Sequence, residues 1–359
     1  MASVKLPYTI LNAFTTTRES GNPAAVVPLP APAAPPTELS TDDLLGLFPS
    51  DDCLLSVAKH FGLPMTAFPV PLPSSKSEPG LTTSIGPTPS YALRWFHPDG
   101  EAPLCGHATL ALSSYLFESL GGVKHLRYLT RYHGEVSALL VSDPFDSGRE
   151  VVALDFPELR GFQTVPKGSE RYAEIMSSIK RASEGWKEDE VVNVEESETY
   201  VLVELASGAD LKAIKIDPAR LDAISPKQFL LTQLADPARS PAHIHSRVFG
   251  TAPGHSYEDT ATGSAHCALI PYYLTAAFSR LCAAHPTAAF STTSTASTGG
   301  TYVPSGDDPL DPLASTLKVS QLSARGGTMS VQWRKPEGRD EVQNGRGPRM
   351  GSQAEEDNK

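Results

Sequence analysis

The residues best suited to acid–base chemistry lie in two short stretches, each running from a glycine-containing turn into an apolar helix. The first holds Cys105 and His107 ahead of LALSSYLFESL, and the second holds Glu258, Asp259 and Ser264 ahead of HCALIPYYLTAAF. The free N–H groups and the dipole of a helix N-terminus favour carboxylate or phosphate groups. Moving a proton on carbon requires one group that removes it and another that returns it. The two stretches therefore predict proton transfer on a small anionic metabolite.

Each of these residue types also has a purely structural interpretation. A lone histidine at a helix start is commonly hydrogen-bonded within the fold, an aspartate there commonly caps the helix, and a lone cysteine packs as a small apolar side chain. His243 and His245 have the spacing of two metal ligands on one strand face, but no third ligand is evident, so we predict no metal site. The sequence has no GxGxxG after a strand, no Walker A motif and no GxSxG. These absences argue against a nucleotide enzyme or an α/β-hydrolase.

The elements that position these residues repeat along the chain. Each half contains short strand patterns and one strongly apolar helix, which other structure must enclose. This pattern predicts two pseudo-repeated α+β domains, over residues 1–150 and 151–334. Apolar spacing over residues 52–61, followed by Gly62, predicts a further helix. The polar residues 335–359 are predicted to form a disordered tail. Segments rich in proline or small polar residues, predicted to be surface insertions, are residues 28–52, 71–90 and 285–315.

The composition restricts the classes of function. The chain has 359 residues, a mass of 38.3 kDa, a net charge of −11 and a mean hydropathy of −0.20. A negatively charged surface repels phosphate backbones, so nucleic acid is not expected as a partner. No apolar run reaches the length of a membrane span and the N-terminus lacks the apolar core of a secretory signal, so we expect a cytoplasmic protein without membrane contact. The four cysteines, none in a C-x-x-C pair, are expected to be free thiols.

Three sequence blocks together resemble the phenazine-biosynthesis PhzF-like family. They occur in the family's order, and the Gly-His-Ala-Thr and Glu-Asp-x-Ala-Thr-Gly-Ser-Ala strings are specific in combination. The blocks are Asn12-Ala13-Phe14 with Gly21-Asn22-Pro23-Ala24-Ala25-Val26-Val27, Arg94-Trp95-Phe96-His97-Pro98 with residues 101–111, and Arg247-Val248-Phe249 with residues 257–265.

The resemblance implies a fold like that of diaminopimelate epimerase. In that fold two pseudo-symmetric domains each wrap a β-barrel-like sheet around a central helix, and the active site lies between them. It also implies proton transfer without a cofactor, and a homodimer. The family's catalytic histidine, aspartate and serine fall on His107, Asp259 and Ser264. The substrate-binding positions that the resemblance implies are Asn22, His97, Cys105, Gly106, Ala108, Thr262 and Gly263.

The family's catalytic glutamate falls on Met65, because Thr66, Ala67 and Phe68 fix the register. A thioether cannot carry a proton near neutral pH, and general acid–base groups typically contribute about 10²–10⁴-fold in rate. Three explanations stay open: another group acts on a different substrate, the pocket guides a reaction by shape and electrostatics, or the protein only binds or regulates. The candidate replacement groups are His107, Asp259, His97 and Cys105.

We therefore expect a PhzF-like isomerase or epimerase that acts on a small carboxylate-bearing metabolite, in secondary metabolism. Asp259 is the expected acid/base, His107 is its partner, and Ser264 is expected to bind the substrate carboxylate. The alternative is a catalytically impaired relative that acts as a small-molecule binding or regulatory protein.

Overall fold

The structure is a computed structural model of the chain. It describes residues 5–32, 44–72, 88–156, 159, 161–286, 316–333, 349–352 and 354–356. The central parts of the three predicted insertions, and residues 335–348 of the predicted tail, lie outside the described residues.

Short strands dominate the described part of the chain. The strands are β1 (Thr9–Ala13), β2 (Asn22–Val26), β3 (Met65–Leu72), β4 (Ser90–His97), β5 (Gly100–Ala102), β6 (His125–Thr130), β7 (Gly134–Asp143), β8 (Asp146–Asp155), β9 (Gln163–Thr164), β10 (Ser183–Glu184), β11 (Val191–Glu196), β12 (Tyr200–Leu205), β13 (Lys215–Ile216), β14 (Gln228–Leu234), β15 (Ile244–Ala252), β16 (His255–Asp259), β17 (Thr316–Gln321), β18 (Gly327–Gln332), β19 (Arg349–Ser352) and β20 (Ala354–Glu356). The α-helices are α1 (Asp51–Phe61), α2 (Gly106–Leu120), α3 (Glu170–Ala182), α4 (His266–Leu274) and α5 (Phe278–Ala284).

The chain divides into two compact units. Unit 1 comprises Met1–Phe156 with Arg349–Lys359, and unit 2 comprises Pro157–Pro348. The predicted boundary at residue 150 would cut through β8, which pairs with β7 of unit 1 over most of its length. The division therefore follows the backbone hydrogen bonds and lies just after this strand.

Unit 1 is a sheet with a central helix. The pairs β1–β2, β3–β4, β6–β7 and β7–β8 are antiparallel, the pairs β2–β3 and β4–β6 are parallel, and the short β5 pairs with the end of β4. α2 packs against β1, β2, β3, β7 and β8, and 10 of its 15 residues are buried. Strands thus enclose the apolar helix, as its composition predicts.

Unit 2 repeats this topology. β11–β12, β14–β15, β15–β16 and β17–β18 are antiparallel, while β12–β14 and β15–β17 are parallel. α4 follows β16 as α2 follows β5, and all nine of its residues are buried. Strands β2, β3, β4, β5, β6 and β7 therefore correspond, in this order, to β12, β14, β15, β16, β17 and β18. This repetition confirms the predicted α+β fold with two pseudo-symmetric halves.

Two helices are capped in the way their sequences allow. α1 begins after Ser50, whose hydroxyl accepts a hydrogen bond from the third helical N–H, and ends at Gly62, with φ +62°. It lies where the apolar spacing predicts a helix. α3 is an additional helix beyond the predicted ones; Ser169 caps it, and its buried face includes Ile175 and Ile179.

Part of the first predicted insertion, residues 28–52, belongs to the hydrophobic core of unit 1. The Leu29 N–H donates to the carbonyl of Pro69 in β3 at 2.9 Å. Leu29, Leu44 and Phe48 are buried in the apolar cluster that α1 completes. The ends of residues 28–52 thus belong to unit 1, because apolar side chains are interspersed among the prolines and bury against β3.

Residues 349–352 and 354–356 form strands, although the sequence predicts a disordered tail there. Arg349–Ser352 pairs antiparallel with β8, and Ala354–Glu356 pairs antiparallel with β1. Backbone pairing onto an edge strand requires no apolar side chains, so a polar composition does not exclude it. The segment hydrogen-bonds to both edges of the unit 1 sheet.

The second apolar helix is shorter than predicted. α4 ends at Leu274, after Pro271 within it, and α5 follows with an 83° bend between the two helices. In the described part of the chain no single helix has the length and apolar composition of a membrane span. α4 and α5 taken together pass that test of length and composition.

Candidate active site

The internal repeat relates the two stretches that carry acid–base groups. Residues 101–112 and 258–269 align without a gap, and five of the twelve positions are identical. In this alignment His107 corresponds to Ser264. Unit 1 thus presents an imidazole where unit 2 presents a hydroxyl.

The backbone at the two helix starts is held in the same way. In unit 1 the Thr109 hydroxyl donates to the carbonyl of Cys105 at 2.6 Å. In unit 2 the equivalent His266 Nδ1 contacts the carbonyl of Thr262 at 2.7 Å. Since the carbonyl can only accept, Nδ1 carries the hydrogen. In each unit a side chain from the first helical turn therefore fixes the turn that precedes it.

A buried arginine–glutamate pair ties together the hairpin ahead of each helix. Arg94 donates to both carboxylate oxygens of Glu101 at 2.7 Å, and Arg247 donates to those of Glu258 at 2.7 and 2.9 Å. Both guanidinium groups are almost fully buried, and such two-point pairs fix geometry as well as charge. Because both Glu258 oxygens accept hydrogen bonds from Arg247, this carboxylate is poorly suited to exchange protons.

His107 is the central ionisable group of the unit 1 stretch. Its Nδ1 lies 3.3 Å from Cys105 Sγ. Its Nε2 is buried and has no hydrogen-bond partner among the residues that the structure describes. Burial lowers the pKa of His107 to about 4, because the imidazolium would lose its hydration. The ring is therefore neutral near pH 7, and Nε2 is a buried polar atom that a ligand could satisfy.

Met65 begins β3 and is buried, with 9% of its surface exposed. Phe68, three positions further along the strand, packs into the cluster with α1. Side chains alternate along a strand, so Met65 faces the opposite side of the sheet, the side that α2 covers. The position implied for the catalytic glutamate is thus an apolar, enclosed one.

The other predicted binding residues of unit 1 have different environments. Asn22 on β2 is fully buried, and Gly106 and Ala108 are buried in the first turn of α2. His97 lies at the end of β4, where its Nδ1 accepts a hydrogen bond from the Asp99 N–H at 3.1 Å. His97 is thereby attached to the β4–β5 turn.

Asp259, the last residue of β16, is half-buried and accepts a hydrogen bond within its own turn. The Thr262 hydroxyl donates to Asp259 Oδ2 at 2.5 Å. The side chain of Gln321, on β17, holds the same turn by donating to the Asp259 carbonyl at 2.7 Å. Asp259 is therefore a positioned carboxylate one residue beyond the ion-paired Glu258.

Ser264 lies in the turn that leads into α4. The carbonyls of Gly263 and Ser264 accept the N–H groups of His266 and Cys267, at 3.1 and 3.0 Å. The Ser264 side chain is hydrogen-bonded to the hydroxyl of Tyr200, and burial raises the pKa of this tyrosine. Tyr200 also interacts electrostatically with Asp259. Tyr200 is thus a member of the unit 2 site.

His266 extends this network inward. It is fully buried, and its Nε2 lies 3.2 Å from Ser246 Oγ. Burial lowers the pKa of His266 to about 4. With the hydrogen on Nδ1, the neutral ring accepts from Ser246 and supports the turn without adding charge.

Comparison with known proteins agrees with this arrangement. A family model described as phenazine biosynthesis-like protein (PhzC-PhzF) matches residues 11–292. The chain belongs to the phenazine biosynthesis-like family. It is 30% identical over 279 residues to the phenazine biosynthesis-like domain-containing protein of Rattus norvegicus, covering 75% of this chain and 84% of the rat protein. It is 31% identical over 265 residues to a Pseudomonas aeruginosa protein named an uncharacterized isomerase, covering 73% and 80% of the two chains.

Solved structures of PhzF proteins share the fold. A PhzF family phenazine biosynthesis protein from Enterococcus faecalis aligns with a TM-score of 0.63 at 23% identity, over 98% of this chain and 97% of that one. A predicted epimerase from Pseudomonas aeruginosa aligns with a TM-score of 0.52 at 13% identity, over 98% and 97% of the two chains. The predicted family and fold class are confirmed.

In this PhzF-like chain the predicted site residues fall into two clusters. The unit 1 cluster, at the start of α2, contains Cys105, Gly106, His107 and Ala108. The unit 2 cluster, ahead of α4, contains Asp259, Thr262, Gly263 and Ser264. Asn22, Met65 and His97 lie on strands of unit 1.

Tyr200 and Gln321 also belong to the unit 2 cluster, and local sequence patterns do not predict either of them. Each is close to Asp259 in space and about 60 positions away in sequence. No local spacing indicates such a contact, which depends on which strands are neighbours in the sheet.

His243 and His245 make separate contacts. His243 Nδ1 accepts a hydrogen bond from the Lys318 N–H at 3.1 Å, and His245 Nε2 lies 2.9 Å from Ser240 Oγ. Within the described ranges, no three histidine, cysteine, aspartate or glutamate side chains form a group that could hold a metal ion.

Proposed function

We propose that this protein is a cofactor-independent isomerase or epimerase, which moves a proton on a small carboxylate-bearing metabolite of secondary metabolism. The observation that carries the proposal is the contrast between two adjacent carboxylates. Arg247 pairs with both oxygens of Glu258, and the neutral Thr262 hydroxyl donates to Oδ2 of Asp259, beside Ser264. Asp259 is thereby oriented for proton exchange. Membership of the PhzF-like family, and the name of its Pseudomonas aeruginosa relative as an isomerase, support the reaction class.

The proposed reaction conserves atoms. Ionised Asp259 takes a proton from a carbon next to the substrate carboxylate, and the electron pair of the broken C–H bond delocalises toward that group. A proton is then delivered either to the other face of the same carbon or to a second carbon. Ser264 and the N–H groups of the turn hold the substrate carboxylate. Asp259 returns its proton to the second carbon, or, for inversion at the same carbon, His107 relays a proton from water to the other face while Asp259 releases its own proton to water.

Met65 favours one alternative function. A buried thioether stands at the position where the family resemblance implies a glutamate, and it cannot exchange protons. If His107 does not take over this role, the chain binds its carboxylate ligand without turning it over. The second candidate is therefore a small-molecule binding or regulatory protein built on the same fold.

Isotope exchange in D2O separates the two candidates. The protein is incubated with amino acids, hydroxy acids and dihydroaromatic acids, and mass spectrometry measures deuterium bound to carbon. Isomerase activity predicts exchange that Asp259→Asn reduces by at least about 10²-fold. The matched neighbour Glu258→Gln should retain the exchange, because its carboxylate serves the ion pair.

The opposite result would favour the binding protein. Thermal stabilisation by one of these acids, with no exchange above the Asp259→Asn background, would show a ligand site without proton transfer. Met65→Glu then tests the cause. A gain of exchange in this variant would identify the missing glutamate as the step that was lost.

We also propose that the protein acts in the cytoplasm as a homodimer. The family resemblance supports the homodimer, and the four free cysteines are typical of a reducing compartment. Light scattering on the purified chain should give about twice 38.3 kDa, and a mass near that of one chain would refute the dimer.

A further inference from the structure

We propose that Gln321 is a positioning residue for Asp259 that acts through Thr262. Its side-chain amide directs the Thr262 hydroxyl hydrogen onto the Asp259 carboxylate. The inference rests on the proposed function, in which Asp259 moves the proton, and it names a residue that sets how Asp259 is presented.

Gln321 is connected to the turn at three points. Its Nε2 donates to the Asp259 carbonyl at 2.7 Å and to Thr262 Oγ1 at 3.2 Å. Its Oε1 accepts the Thr262 N–H at 2.8 Å. The residue is 1% exposed, so water does not compete for these contacts.

These partners define the direction of each hydrogen bond. A backbone N–H can only donate and a backbone carbonyl can only accept. The Gln321 amide is therefore oriented with Oε1 toward the N–H and Nε2 toward the carbonyl. Thr262 Oγ1 then accepts from Nε2, and its single hydrogen remains for Asp259 Oδ2, to which it donates at 2.5 Å.

The resulting donor chain runs from Gln321 through Thr262 to Asp259. Chained hydrogen bonds polarise one another, and a hydrogen bond donated to a carboxylate stabilises its ionised form. The chain thus favours the form of Asp259 that accepts a proton, and it fixes the plane of the carboxylate. Gln321 itself need not touch the substrate.

Several titratable groups surround Asp259 in unit 2. Tyr200 on β12 interacts electrostatically with Asp259, with Tyr257 on the same strand as Asp259, and with Cys267 on α4. His266 lies on the other side of the turn and is neutral, because burial lowers its pKa to about 4. Arg247 and Glu258 form an adjacent pair of opposite charge. The experiment must therefore alter the donor chain and leave these groups in place.

The measurement is the titration of the Asp259 side chain by 13C NMR, on protein labelled at the aspartate carboxyl carbon and without substrate. The carboxyl signal that is absent from the spectrum of Asp259→Asn is assigned to Asp259. Thr262→Val removes the donated hydrogen bond, and Thr262→Ser keeps it. Gln321→Met removes the amide at similar volume. Ser323→Ala is the matched control, because its hydroxyl holds the same loop at the Thr260 carbonyl (2.6 Å) but lies outside the donor chain.

The midpoint of the Asp259 titration should rise by about one pH unit in Thr262→Val, since a hydrogen bond donated to a carboxylate stabilises its ionised form. Thr262→Ser should restore the normal midpoint, and Ser323→Ala should leave it unchanged. Gln321→Met should raise the midpoint, and combining it with Thr262→Val should add nothing further.

Two results would overturn the inference. One is an unchanged midpoint in folded Gln321→Met or Thr262→Val, with folding checked by thermal unfolding. The other is a double variant whose midpoint rises by the sum of the single changes, because Gln321 would then act independently of Thr262. The titration needs no turnover. Failure of isotope exchange therefore refutes the proposed function alone, and an unmoved midpoint refutes this inference alone.

Discussion

Mild acid should destabilise the two units to different extents, because they contain different numbers of buried neutral histidines. Burial lowers the pKa of His107 in unit 1, and of His243 and His266 in unit 2, to about 4 from an ordinary value of 6.5. Between these two values the unfolded chain binds protons that the folded chain does not. Stability is therefore fully present above pH 6.5 and is lost as the pH falls toward 4.

The magnitude follows from the two pKa values. At pH 5 a histidine is almost fully protonated in the unfolded chain and about nine-tenths neutral in the folded one. Relative to pH 7.5, each such histidine lowers the free energy of unfolding by about 2 kcal/mol. His107 should account for a loss of about 2 kcal/mol in unit 1, and His243 and His266 for about 4 kcal/mol in unit 2, which is a large part of the stability of an ordinary domain. Burial also lowers the pKa of His133 in unit 1 and of His245 and His285 in unit 2, which adds to both losses.

Urea unfolding at pH 7.5 and pH 5.0 measures this loss. Trp95 is the tryptophan of unit 1, and Trp186 and Trp333 are those of unit 2. Trp95→Phe therefore reports unit 2 by fluorescence, and the double variant Trp186→Phe/Trp333→Phe reports unit 1. His107→Gln should remove most of the pH effect in unit 1 and none in unit 2. A free energy of unfolding that differs by less than about 0.5 kcal/mol between the two pH values would refute the reasoning.

Three other perturbations test the scaffold, each by the free energy of urea unfolding. Gly21→Ala should cost more than about 3 kcal/mol, because φ is +75° and the new Cβ would lie 2.4 Å from a backbone oxygen; Gly122→Ala, at φ +71° in open space, should cost about 1 kcal/mol. An equal loss in both would contradict the steric argument. Arg247→Met should cost about 3 kcal/mol and Arg94→Met less, because the glutamate partner of Arg94 also pairs with a second arginine. A larger loss of unfolding free energy in Arg94→Met than in Arg247→Met would contradict this reasoning. Deleting residues 349–359 should destabilise unit 1 and leave unit 2 unchanged, since β19 and β20 pair with β8 and β1; equal stability would show that this pairing contributes nothing.

The sequence predicts well those features that short-range patterns determine. Apolar residues at helical spacing, closed by Gly62, identify α1, and an apolar run after a glycine-containing turn identifies α2. A similar apolar run after Ser264 predicts α4. It does not predict that α4 ends at Leu274, because the apolar pattern continues past Pro271. α3 was missed although Ser169 and the apolar positions after it are typical of a helix start.

Contacts between distant strands could not be predicted. Gln321 reaches Asp259 because their strands pair with the same strand: β17 is parallel to β15, and β16 is antiparallel to β15. Tyr200 reaches Ser264 from the start of β12. Neither contact has a signature in local spacing, so the candidate site was predicted as two helix starts without the residues that support them.

The internal repeat explains why proton transfer would be unequal between the units. In the gap-free alignment of the two stretches, Ala102 occupies the position of Asp259, so unit 1 has no carboxylate there. His107, a candidate proton-transfer group of that stretch, is neutral, and the Met65 thioether cannot carry a proton. The two stretches thus differ in the group that they offer, a carboxylate in unit 2 and a neutral imidazole in unit 1. Under the proposed function, removal of the proton therefore falls to Asp259 and not to a group of unit 1.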